Sequence, residues 1–119
     1  MTLTTLTTSA RRAPEFVMSM STEGPATVVA LHGEADVATL PTVEEMLDKV
    51  TRAHDGPLIV ELAETRFIDS GTVRALAQAS RVLHERGRPM TIRSPSPMAV
   101  RVMEFFGLGG LIVPGGDDR

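Results

Sequence analysis

With 119 residues the chain has room for one hydrophobic core and no more. Hydrophobic residues at 42% and charged residues at 23% lie in the globular range, which excludes wholesale disorder, and no apolar run is long enough to cross a bilayer. The net charge of −3 argues against nucleic acid as a partner, and the absence of cysteine removes disulfides, thiolate catalysis and thiolate metal sites together.

Residues 1–13 are rich in Thr and Ser, offer little to bury and read as a mobile arm. The Arg11-Arg12 pair follows the mildly apolar part, with no continuous apolar stretch, so the arm does not read as a secretory signal and the expected location is the bacterial cytoplasm. A single domain is expected over residues 14–113, with 114–119 as a tail.

Phe16 and Met18 alternate with Val17 and Ser19, a turn is expected over residues 21–25, and residues 27–31 form a second β-rich run, so the domain opens with an antiparallel hairpin. Residues 33–36 are expected to break the strand. From Leu40 the spacing turns helical, with Leu40, Val43, Met46, Leu47, Val50 and Ala53 on one face, Thr39 as the N-cap and residues 54–57 as the stop. Residues 58–62 are nearly all apolar, as expected of a central strand covered on both faces.

Phe67 and Ile68 then run into a second helix that turns Val73, Leu76, Ala79 or Ser80, and Leu83 inward, and Arg74, Gln78, Arg81 and Glu85 outward, with Gly87 as its C′ residue. A short strand at residues 90–92, a turn at 95–97, a third helix at 98–106 closed by Gly107, and a last strand at 111–113 complete the chain. Met46, Met98 and Met103 fall at core spacing. The expected fold is α/β, with the order ββαβαβαβ and a mixed sheet of four to five strands with helices packed against it.

Chemistry is sparse. The histidines His32, His54 and His84 are never at i, i+3 or i+4 from one another, which disfavours a metal or base site. No GxSxG elbow, GxxxxGK[ST] loop or GxGxxG turn occurs, and Gly107-Leu108-Gly109-Gly110 reads as a helix stop and loop. An enzyme is therefore not expected, nor a cofactor or a metal site. What stands out is the junction Phe67-Ile68-Asp69-Ser70-Gly71-Thr72, where a serine meets the mouth of a helix. Unpaired N–H groups and the helix dipole favour negative charge there, a phosphate included, while the plain reading of Ser70 is an N-cap. Glu34 and Asp36 follow the second strand, and if the two central strands are neighbours, Asp36, Asp69 and Ser70 share one rim. Taken locally, Asp36 caps a turn.

Leu31-His32-Gly33-Glu34-Ala35-Asp36, then Leu58-Ile59-Val60-Glu61-Leu62, then Phe67-Ile68-Asp69-Ser70 and its helix, resembles the STAS domain family, in particular bacterial anti-sigma factor antagonists. The resemblance covers roughly residues 15–113, and its most specific part is a GE-x-D loop followed about thirty residues later by a D-S junction. It implies that Ser70 is phosphorylated by a partner that is both serine kinase and anti-sigma factor. It also implies that Asp36, Asp69, Ser70, Gly71, Thr72, Arg74 and Gln78 face that partner. The family usually has Ser, Thr or Ala, then Gly and Leu, after the phosphoacceptor; this chain has Gly71-Thr72-Val73. The alternative within the family is a structural STAS module of a stressosome or of a lipid-transport complex. Both readings expect no direct membrane insertion and leave a weak homodimer open.

Overall fold

The computed structural model describes residues 4–5 and 16–113. Its elements in chain order are β1 (Thr4–Thr5), β2 (Val17–Glu23), β3 (Ala26–Ala35), α1 (Leu40–Ala53), β4 (Leu58–Glu61), β5 (Thr65–Ile68), α2 (Ser70–Glu85), β6 (Met90–Arg93), α3 (Pro97–Phe105), a 3₁₀ turn (Gly109–Leu111) and β7 (Ile112–Val113). The mixed α/β architecture is the expected one, with more strands than the four to five expected.

One extra strand lies in the N-terminal arm. Thr4 and Thr5 pair antiparallel with Met20 and Ser19 of β2, which corrects the expectation of a mobile arm at these two positions. Threonine suits a pleated edge, and β2 offers one. The rest of that arm and the tail at 114–119 lie outside the described residues.

β2 and β3 form the expected hairpin, closed by the two-residue turn Gly24-Pro25 with Gly24 at φ 59°. A positive φ at the first central position suits the twist of the flanking strands and favours glycine. The sheet continues in the order β1-β2-β3-β4-β6-β7, parallel from β3 onward because helices connect these strands.

β4 is central, with Val29 of β3 and Ile92 of β6 on either side of Val60. Leu58 and Val60 are buried but Ile59 and Glu61 are only half-buried, so the expectation of cover on both faces is corrected. Alternation along a strand puts Val60 on one face and Glu61 on the other. The first face shares a single core with Val43, Met46, Leu47 and Val50 of α1, Val73, Leu76 and Leu83 of α2, and Ala99 and Met103 of α3. The second carries Arg93, which donates to Glu61 at 2.7 Å and to Glu23 at 2.8 and 3.0 Å.

Residues 33–36 do not break β3. The strand continues to Ala35 by changing partner: residues 27–30 pair with β4, and residues 33–35 pair in parallel with β5. The register shifts between Gly33 and Glu34, and Gly33 has φ 102°, a conformation glycine adopts at a bulge without strain. Residues 58–68 are thus two strands, which adds β5 to the expected order.

Three features expected of the helices differ. Thr39 precedes α1 but makes no capping bond, and Ala53 is exposed at the helix end. Met98 is 67% exposed, so it is not a core residue. The C-terminal stops hold: Gly87 (φ 71°) and Gly107 (φ 80°) each close a Schellman motif, with Arg88 N–H donating to Leu83 O at 2.9 Å and Leu108 N–H to Met103 O at 2.8 Å.

Candidate functional site at the start of α2

The site is assembled by the pairing of β3 with β5. Ala35 lies opposite Ile68, and the next N–H, that of Asp69, donates to Ala35 O at 3.0 Å. The chain therefore leaves both strands at one rim, with Asp36 following one and Asp69 the other. Asp36 is half-buried and locally engaged: its Oδ1 accepts from the N–H groups of Ala38 (3.0 Å) and Thr39 (3.3 Å). The Thr39 hydroxyl accepts from Asp36 N–H at 3.0 Å and donates to Asp36 O at 3.1 Å, which is why it does not cap α1. Asp36 thus caps a turn, on the same rim from which α2 starts.

Asp69, not Ser70, is the N-cap of α2. Its backbone is extended (φ −91°, ψ 172°), and its Oδ1 accepts from Thr72 N–H at 2.9 Å. This corrects the reading of Ser70 as cap. Aspartate caps as well as serine does, and its charge also suits the positive helix end. Ser70 becomes the first helical residue, and it is exposed.

The remaining candidates separate by burial. Gly71 is half-buried, and a Cβ built on it would stand 3.7 Å from Leu40 Cδ2, an ordinary contact. Thr72 is 0% exposed and its hydroxyl has no hydrogen-bond partner, so it cannot touch a partner protein. That removes it from the expected docking residues. Arg74 and Gln78 are exposed further along the helix. The Arg74 guanidinium lies 5.6 Å from the centroid of the Phe106 ring, which meets Phe105 edge-on at 5.4 Å.

Sequence reasoning missed the exposed apolar residues around this face. Phe67 is 50% exposed on β5, Phe105 is 83% exposed on α3, and Val37 is exposed in the Asp36 loop. A signal for Phe67 was present: it adjoins Ile68 on a strand, and alternation allows only one of the two to face the core. The nearby Glu34–Arg66 pair is long (3.9 Å) and exposed, and contributes little. His32, His54 and His84 lie on β3, at the end of α1 and in the last turn of α2, and are not brought together. Among the described residues no cluster of three or more His, Asp or Glu could hold a metal ion, and no helix is long and apolar enough to cross a membrane.

Comparison with known proteins agrees with this architecture. The family model described as "Mlab, STAS domain" matches residues 18–114. An anti-sigma factor antagonist from Mycobacterium paratuberculosis superposes with a TM-score of 0.71 at 21% identity, covering 95% of this chain and 86% of that one. The Bacillus cell fate determinant SpoIIAA in its phosphorylated form gives 0.68 at 21% identity, over 86% of this chain and 90% of that one. A chain from the stressosome gives 0.55 at 24% identity, over 75% and 78%. At these identities the likeness is one of fold. Among proteins of curated function, none matches this chain in sequence.

Proposed function

The chain belongs to the STAS domain family, and from that membership we propose that it is an anti-sigma factor antagonist. It binds an anti-sigma serine kinase while Ser70 is bare and is released once Ser70 is phosphorylated. It acts in the bacterial cytoplasm and needs no cofactor, metal, nucleic acid or membrane insertion.

The observation that carries this reading is the division of roles between Asp69 and Ser70. Because Asp69 satisfies the helix start, the exposed Ser70 hydroxyl is not needed there. A kinase can modify it without unseating α2. The chemistry is the partner's: the γ-phosphorus of ATP leaves the β–γ bridging oxygen and bonds to Ser70 Oγ, ADP departs, and the hydroxyl proton passes to a base on the kinase.

The phosphate adds about −1.5 to −2 charges beside two existing carboxylates, Asp36 and Asp69. Docking that rim onto a surface that also binds the phosphates of ATP then carries repulsion and desolvation, and a penalty of about 3 kcal/mol lowers affinity roughly a hundredfold. The test is incubation with the anti-sigma kinase and ATP, followed by intact-mass analysis. One phosphate on wild type and none on Ser70→Ala is expected, with Ser70→Asp failing to bind. Phosphate on Thr65 with Ser70 untouched overturns the assignment.

A second reading is a structural STAS module of a stressosome or of a lipid-transport complex, and the stressosome chain among the fold relatives supports the first of these forms. In that case affinity purification from native cells returns a large assembly or a transporter ATPase, and Ser70→Ala leaves it intact.

A further inference from the structure

We propose that Arg74 is the intramolecular partner of phosphorylated Ser70, and that it leaves the Phe106 ring to pair with the phosphate. The inference rests on the reading of Ser70 as the phosphoacceptor. Ser70 and Arg74 are the first and fifth residues of α2. That i, i+4 spacing makes them neighbours on one helix face, with Cβ atoms about 5–6 Å apart. Both are exposed.

In the bare protein the Arg74 guanidinium rests over Phe106. An exposed cation–π contact of this kind is weak, whereas a guanidinium meets a phosphate through two parallel charge-assisted hydrogen bonds. The surroundings leave the phosphate few other choices. Towards the β3–β5 rim it meets Asp69 and Asp36, which repel it, and Arg66 of β5 there has the Glu34 carboxylate 3.9 Å away as a competing acceptor. The other charged groups on the adjoining helices are Glu44, Glu45, Asp48, Lys49 and Arg52 of α1, with Arg52 paired to Asp48 and Lys49 in the second half of that helix, and Arg101 and Glu104 of α3. Arg74 is the cation carried by α2 itself within about one turn of Ser70.

The exchange has a consequence for docking. Bare, the surface presents Arg74 stacked on an aromatic pair whose outer member, Phe105, is 83% exposed. Phosphorylated, Arg74 is occupied and the face of Phe106 is uncovered. The mark then alters the α2–α3 surface as well as adding charge, and Arg74 acts as a positioning residue.

The test uses protein with phosphoserine encoded directly at position 70, so it does not depend on any kinase. Phosphorus NMR follows the second ionisation of the phosphate in wild type, Arg74→Gln and Arg74→Lys. A nearby cation favours the dianion, so the midpoint is expected about half a pH unit lower in wild type than in Arg74→Gln, and largely restored in Arg74→Lys. Phosphorylation is also expected to shift the Phe106 ring protons towards their positions in Arg74→Gln. An unchanged midpoint in Arg74→Gln overturns the pairing. Encoded phosphoprotein that binds the anti-sigma kinase as tightly as the bare form overturns the functional reading instead, and the two failures are distinguishable.

Discussion

Asp69 Oδ1 holds the backbone N–H of Thr72 at 2.9 Å, so the helix that carries Ser70 does not depend on Ser70 for its start. Asp69→Ala is expected to destabilise the domain by about 1 kcal/mol, the usual loss for an N-cap, with Asp69→Asn or Asp69→Ser recovering most of it. Ser70→Ala is expected to stay within about 0.5 kcal/mol of wild type. Urea denaturation of the four variants measures both. Equal losses at the two positions would contradict the capping assignment.

Thr72 buries a hydroxyl with no partner. Thr72→Val keeps the shape and removes the unmatched polar atom, so stability is expected to be unchanged or raised by up to about 1 kcal/mol, the reverse of the usual threonine-to-valine expectation at a bonded site. Phosphorylation at Ser70 is expected to persist in this variant, because position 72 does not reach the surface.

Two glycines respond oppositely to alanine. A Cβ at Gly56 would stand 2.1 Å from the carbonyl oxygen of Pro25, where the α1–β4 connection crosses the β2–β3 turn. Backbone must move, and Gly56→Ala is expected to cost about 1–3 kcal/mol or more. Gly71→Ala meets only ordinary contacts in the first turn of α2 and is expected to raise stability by up to about 1 kcal/mol. Thermal melting separates them by sign, at about 4–8 °C per kcal/mol for a domain of this size.

The Glu23 carboxyl is held below its ordinary value, first by its hydrogen bond from Arg93 and then by the charge of that guanidinium, against some desolvation. Arg93 in turn is raised by its hydrogen bonds to Glu23 and Glu61. A carboxylate with a lowered folded value contributes stability above its unfolded value, roughly 4.3, and loses it as pH falls through the folded one. The Glu23 side chain is 51% exposed, so the solvent-screened contribution is under about 1 kcal/mol. Wild type is expected to exceed Glu23→Gln by that margin at neutral pH, with the difference lost progressively as pH falls below the ordinary carboxylate range and shrinking in about 1 M salt. Denaturation midpoints across pH and salt check this.

Particular residues show what could be read in advance. Val43, Met46, Leu47 and Val50 recur at helical spacing and all four are buried, so α1 is legible from its period alone. α3 is harder. It has nine residues and one buried stripe, Ala99 and Met103, and Met98 lies next to Ala99, about 100° around the helix from that stripe. Phe67 and Ile68 read as a short apolar strand running into α2, but not as a separate member of the strand order, because the partner of β5 is the far end of β3, more than thirty residues away in the chain. The cap was undecidable locally, since Asp69 and Ser70 are both good caps one residue apart. The bond from Asp69 N–H to Ala35 O decides it by holding Asp69 extended.

β3 is held along one flank by two strands in succession, β4 at residues 27–30 and β5 at residues 33–35, with the register changing at Gly33. The discontinuity divides that flank into two separately breakable zippers, and the shorter one carries the rim of Asp36 and Asp69. Brief opening of the short zipper leaves the long one fastened, so deuterium enters the amides of Phe67 and Ile68 before those of Ile59 and Val60. The rim that bears Asp36, Asp69 and Ser70 thus has a local stability of its own, set apart from that of the sheet beneath it.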